Sequence, residues 1–136
     1  MAVYTEIDEE VLRDFVAEYD IGTVTGLKGI AEGVENTNYL LQTDRDSYIL
    51  TIYEKRVDPH DLPFFLGLLD HLSDRGVPCP PTIHGRDGNA LRRVAGKPAA
   101  IQTFLQGIWP KRPRASHCGE VGAALARMHL AGLDYP

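Results

Sequence analysis

The stretch Gly29-Ile30-Ala31-Glu32-Gly33-Val34-Glu35-Asn36-Thr37-Asn38-Tyr39-Leu40-Leu41, followed closely by Ser47-Tyr48-Ile49-Leu50-Thr51-Ile52-Tyr53, decides the fold. The first run reads as strand, glycine-bearing turn, strand, and the second as the next strand of a meander. Asp44-Arg45-Asp46 between them is a short polar turn of the kind that joins a hairpin. The three strands are placed at 24–31, 37–43 and 47–53. A glycine turn between two strands can bring backbone N–H groups close to a phosphate.

Working outward, residues 5–19 predict a helix, with Ile7, Val11, Leu12, Phe15, Val16 and Tyr19 on one face. Thr5 followed by Asp8 predicts a capping box with Asp in the place of Glu, and Glu6, Asp8, Glu9 and Glu10 suit a helix N-terminus. Gly22 ends that region. Downstream, Asp58-Pro59-His60-Asp61 starts a second helix with the apolar stripe Leu62, Phe65, Leu66, Leu69 and Leu72. Gly76 stops it, and Pro78, Pro80 and Pro81 prevent its resumption. A short strand at 82–84 and a turn at 86–89 follow, then 91–94 pairs across Gly96-Lys97-Pro98 with 99–104. Residues 105–110 leave the sheet, and a last helix at 116–131 presents Cys118, Val121, Gly122, Leu125, Met128 and His129. Strands joined by short turns imply an antiparallel sheet with flanking helices, an α+β domain. The last helix follows the basic linker Lys111-Arg112-Pro113-Arg114 and does not belong naturally to that sheet.

A chain of 136 residues can bury one core, and 43% hydrophobic with 24% charged residues is an ordinary globular composition. The net charge of −5 argues against general nucleic-acid binding, which needs phosphate neutralisation. No apolar run is long enough for a membrane span, and residues 1–6 lack the regions of a signal peptide, so a cytoplasmic protein is expected. Cys79 and Cys118 read as separate reduced thiols, and the five histidines show no metal-ligand spacing.

The chain resembles the N-terminal part of a homoserine kinase of the aminoglycoside-phosphotransferase-like kind. The resemblance runs over essentially all of it. It is carried by 15–22, by 28–41 with its Gly33-Val34-Glu35-Asn36-x-Asn38-Tyr39 turn, by 47–58, by Leu62-Pro63-Phe64-Phe65-Leu66-Gly67-Leu68, and by the helix from His117 to Gly132. The turn is shared with related small-molecule kinases; the Tyr53-Glu54-Lys55-Arg56-Val57-Asp58-Pro59 and 62–68 runs are more specific. The resemblance implies a protein-kinase-like small lobe at 1–107, a linker at 108–115, and at 116–136 the first helix of an otherwise missing large lobe. It implies ATP and Mg2+ as cofactors, with the γ-phosphoryl group passing to L-homoserine. The product, O-phospho-L-homoserine, lies on the route to threonine. Another small-molecule kinase of the aminoglycoside or choline kinase group, or a non-catalytic interaction module, are the alternatives.

The resemblance also implies the cofactor-binding residues. Ile30, Glu32, Gly33, Val34, Glu35 and Asn36 would form the loop over the phosphates. Ile49 and Thr51 would lie beneath it, and Thr103, Phe104, Leu105 and Gln106 would form the adenine-facing hinge. On residues alone the loop is an ordinary hairpin. Ile30, Ile49 and Leu105 would wall the adenine, and Asn38 would face neighbouring strands. Relatives carry Lys or Arg where Thr51 stands, paired with a helix Glu where Phe65 stands, so both halves of that ion pair are absent together. Lys28, Lys55 and Arg56 are the candidate cations. Trp109 is expected to anchor the linker, His129 to be a core histidine, and Gly119 and Gly122 to allow close helix packing. His84-Gly85-Arg86-Asp87 has the look of a catalytic loop but precedes the hinge. No catalytic or metal-binding residue is assigned, and the isolated chain is expected to be inactive, prone to self-association through its last helix or to fraying past Gly107.

Overall fold

Alternation along the central strands sets the two faces of the molecule. In β2 (Thr37–Thr43) and β3 (Ser47–Ile52), Thr37, Tyr39, Leu41 and Thr43, and Tyr48, Leu50 and Ile52, are buried while their neighbours are more exposed. The buried rows pack against Leu12, Phe15 and Val16 of α1 (Glu9–Ala17), with Tyr19 and Ile21 closing the cluster. Leu41, Leu50 and Ile52 are fully shielded, and each such side chain contributes about 1.5–3 kcal/mol by leaving water. The computed structural model describes residues 3–136.

The remaining elements are β1 (Val24–Gly29), α2 (Leu62–Asp74), β4 (Thr82–Ile83), β5 (Arg92–Val94), β6 (Lys97–Thr103) and α3 (Ala115–Gly132). The sheet runs β1-β2-β3-β6-β4, with β5 also on β6, and every pairing is antiparallel. β6 is therefore central: one edge pairs with β3, and the other is shared between β5 at its start and β4 at its end. This is the expected α+β sheet with flanking helices.

Several local expectations change. β1 stops at Gly29 rather than residue 31, and β3 stops at Ile52. The capping box expected at Thr5 and Asp8 does not form. α1 begins at Glu9 behind Asp8, which makes no side-chain cap bond. The Thr5 hydroxyl instead donates to Glu54 Oε1 at 2.6 Å. Glu54 also accepts from the Thr37 hydroxyl (2.8 Å) and pairs with Lys97, so one carboxylate ties the N-terminal segment to β2 and β6. A buried charge needs such partners. Val11 and Phe65, expected on apolar stripes, are 41% and 51% exposed; of the stripe expected on α2, Leu62, Leu66 and Leu72 are buried.

α3 buries none of its residues; Val121, Leu125 and Leu130 face solvent, as do His129 and Trp109. The expected core histidine and linker anchor are thus both exposed, and Gly119 and Gly122 meet nothing a Cβ would touch. The C-terminal end of α3 docks on α2. His71 Nε2 lies 3.0 Å from the Ala131 carbonyl, Arg75 pairs with Asp134, and the Tyr135 hydroxyl donates to the Phe64 carbonyl at 2.8 Å.

Candidate functional site

The β1–β2 connection is built to leave its donors unused. The Ile30 amide donates to the Asn38 carbonyl at 2.9 Å and closes the neck of the loop. Beyond it, the N–H groups of residues 31–36 have no partner among the described residues. Gly33 adopts φ +106°, a backbone region that only glycine enters without strain. The return limb is pinned where Asn36 Oδ1 accepts the Glu54 amide (3.3 Å). At the mouth, Glu35 and Arg56 approach to 4.0 Å, an exposed pair of little energetic weight. Val34 is 75% exposed, and its carbonyl accepts the Tyr4 hydroxyl. Glu32 is exposed.

Below the loop lies the sheet face turned away from α1. Strand register places Asn38, Thr51 and Ala100 in one row, and Lys28, Leu40, Ile49 and Gln102 in the next. The neck bond brings Ile30 alongside Asn38. Thr51, standing where a cation would be expected, donates to Asn38 Oδ1 at 2.9 Å and lies 3.4 Å from Gln102 Oε1. Burial raises the Tyr53 hydroxyl above its ordinary value, while a hydrogen bond to Gln102 opposes the rise. Asn38, Thr51 and Gln102 form a neutral polar strip on this face. Lys97 is engaged by Glu54 elsewhere, while Lys28 sits on the face and Lys55 lies exposed just past β3.

At the far end of β6 the chain emerges as an edge. Phe104, Leu105 and Gln106 are exposed, and their N–H groups have no partner among the described residues. Thr103 departs from the expectation. It stands opposite Tyr48 in the core-facing row, its Oγ1 is buried, and its N–H already donates to the Pro81 carbonyl at 3.2 Å. Gln102, one residue earlier, is the side chain on the face. Its signal in the sequence was a glutamine directly after the apolar run Ala99-Ala100-Ile101. Asn38 was visible in the sequence but not its place beneath the loop.

His84 and Asp87 have structural duties. Asp87 caps its own turn at Asn89 (3.0 Å) and pairs with Arg92 (2.6 Å), which hold its carboxyl down at about 2. His84 bridges the Gly88 carbonyl (2.8 Å) and Asp70 (2.7 Å). Among the described residues no three His, Cys, Asp or Glu side chains converge to hold a metal ion. No helix among them is long and apolar enough to cross a membrane.

An antiparallel sheet with a donor-rich glycine loop over one face and an open edge at the end of the central strand is the small lobe of a kinase-like phosphotransferase. The phosphotransferase enzyme family matches residues 26–135, and the chain belongs to that family. Homoserine kinases of Paramagnetospirillum magneticum and Rhodospirillum rubrum are 64% and 60% identical over 100% and 99% of the chain. The chain spans about 42% of the length of these curated relatives. Among solved structures, a spectinomycin phosphotransferase in complex with ADP and spectinomycin aligns with a TM-score of 0.72 at 13% identity, over 93% of this chain and 39% of that one. A microcompartment-associated aminopropanol kinase aligns at 0.67 and 20% identity, over 90% of this chain and 40% of that one. These likenesses establish the fold.

Proposed function

We propose that residues 1–107 form the nucleotide-binding lobe of an ATP-dependent homoserine kinase, which converts L-homoserine to O-phospho-L-homoserine on the way to threonine. The observation that carries the nucleotide reading is the run of amides at 31–36 around Gly33, without partners among the described residues and poised over the face that carries Asn38, Thr51 and Gln102. Such a nest of N–H groups suits a polyphosphate, and the exposed edge at 104–106 suits the donor and acceptor pattern of adenine. The substrate assignment rests on the homoserine kinases that match this chain throughout.

Residues here bind and orient. The loop amides neutralise phosphate charge, Ile30, Leu40 and Ile49 offer apolar contact to the base, and Gln102 lies beside the edge at 104–106. Mg2+, when bound with ATP, would neutralise charge on the transferring phosphoryl group; its ligands and the group that orients the homoserine hydroxyl belong to segments outside this chain. Residues 108–115 act as the linker and α3 as the first element of a second lobe. The support is the apolar groove of about 1030 Å³ among Trp109, Pro113, His117 and Val121, which lies apart from the sheet face. Two unpaired thiols, Cys79 and Cys118, suit the cytoplasm.

The test is coupled detection of ADP release by the full gene product with L-homoserine, other amino alcohols and an aminoglycoside. Homoserine-dependent release is expected. Turnover only with another alcohol would overturn the substrate, and failure to bind ATP would overturn the nucleotide reading. The 136-residue chain alone is expected to show no turnover.

A further inference from the structure

The neutral strip beneath the loop raises the question of what meets the phosphates where Thr51 stands in place of a cation on β3. Thr51 has a single hydroxyl proton. It goes to the nearer acceptor, Asn38 Oδ1 at 2.9 Å, rather than to Gln102 Oε1 at 3.4 Å. With its oxygen so engaged, the Asn38 side chain must turn its NH2 group the other way. That group lies under the loop: a Cβ built on Gly33 would have Asn38 Nδ2 as its nearest neighbour, at 3.8 Å. No acceptor among the described residues takes either proton, and the atom is not sealed from solvent. An amide donor is thereby held beside the unpartnered N–H groups of 31–36 and oriented from behind.

We propose that Asn38 is a phosphate-contacting residue of this site, donating its Nδ2–H to a phosphate oxygen beneath the Gly33 loop, and that Thr51 is the positioning residue that holds the amide in that orientation. The inference rests on the nucleotide reading of this face and adds to it the identity of the side-chain donor. It also accounts for the threonine at 51. A lysine there would remove the hydroxyl that sets Asn38, so the paired loss of a strand cation and a helix carboxylate (Phe65 is exposed on α2) is accompanied by a different donor rather than by an empty position. A neutral donor costs less to desolvate than an unpaired ammonium and is still oriented toward the anion.

The experiment measures ATP, ADP and adenosine binding calorimetrically in the full gene product, for the unaltered protein and for Asn38→Asp, Thr51→Val and Thr51→Ser. Asn38→Asp keeps the shape and replaces the donor with a carboxylate, so ATP and ADP affinity should fall about 30-fold while adenosine changes less than about twofold. Thr51→Val should weaken ATP by about 3- to 5-fold, and Thr51→Ser, which retains the hydroxyl, should restore it. If the unaltered protein binds no ATP, the nucleotide reading fails and this inference with it. If it binds ATP and Asn38→Asp binds equally well, or if adenosine weakens as much as ATP, the nucleotide reading stands and the assignment of Asn38 is overturned. Should Asn38→Asp lack a cooperative thermal transition, the Val and Ser pair at 51 decides: equal ATP affinity in both would overturn the proposal.

Discussion

Lys97→Met tests the junction that supports the loop. The Glu54 side chain is 11% exposed and Lys97 is 36% exposed. Glu54 receives the Thr5 and Thr37 hydroxyls at 2.6 and 2.8 Å, while its own amide holds Asn36. Removing one partner of a buried pair costs about 3–5 kcal/mol when the survivor is left uncompensated. Here the ammonium is partly solvated and two hydroxyls still donate, so about 2 kcal/mol is expected at pH 7. For a chain of this length that lowers Tm by about 8 °C. Burial pushes the Glu54 carboxyl up, but hydrogen bonds from Lys97, Thr5 and Thr37 outweigh it and hold the group below its ordinary value. The unaltered protein thus draws stability from Glu54 above pH 4.5 and loses it as the pH falls through the lower folded value. In Lys97→Met that relation weakens or reverses, so the deficit should shrink on going from pH 7 to about pH 4.5. Urea denaturation of Lys97→Met, Glu54→Gln and the double variant at both pH values provides the measurement. The double variant should cost at least about 1 kcal/mol less than the sum of the singles. A cost below about 0.5 kcal/mol for Lys97→Met at pH 7, or strictly additive singles, would refute the reasoning.

Other outcomes follow from single positions. Gly33→Ala meets no atom closer than Asn38 Nδ2 at 3.8 Å, so its cost is backbone strain at φ +106°; ATP affinity should fall at least about threefold and Tm by about 4 °C or more, read by calorimetry and thermal melts. A Cβ at Gly67 would sit 2.5 Å from the Tyr135 hydroxyl, offsetting the gain of about 1 kcal/mol that alanine brings to a helix. Gly67→Ala should therefore be near neutral alone and stabilising by about 1 kcal/mol in a Tyr135→Phe background, as measured by urea titration. His84 faces two acceptors, the Gly88 carbonyl and then the Asp70 carboxylate, which raise it above 6.5. Asp70 is pushed up by burial but more strongly held down by Thr82 and His84. Stability from His84 is full below pH 6.5 and is lost as the pH rises through the higher folded value. His84→Gln should lower Tm more at pH 6 than at pH 9, and an equal loss at both would count against a charged His84.

The loop and its supports were legible to different depths. Gly33 between two apolar, alternating runs announced a turn. The face Thr103 takes was not legible, because a one-residue shift along β6 exchanges the two faces of the sheet, and only its pairing with Tyr48 shows it. Thr5 was read as a cap because its local spacing to Asp8 fits one. The carboxylate of Glu54, 49 residues away, claims its hydroxyl instead. Phe65 and His129 lie on helical stripes whose apolar spacing does not reveal that these sides face solvent here.

From its own residues the chain determined an antiparallel α+β sheet, its glycine turn and its helices, because alternation, helical spacing and turn chemistry are set by neighbours a few residues apart. Only the tertiary structure decided which side chains share the face beneath the loop. Thr51 meets Gln102 across 51 residues, and Asn38 is turned by Thr51. Such a meeting depends on strand register and on the competition for buried donors, neither of which is encoded in any local window.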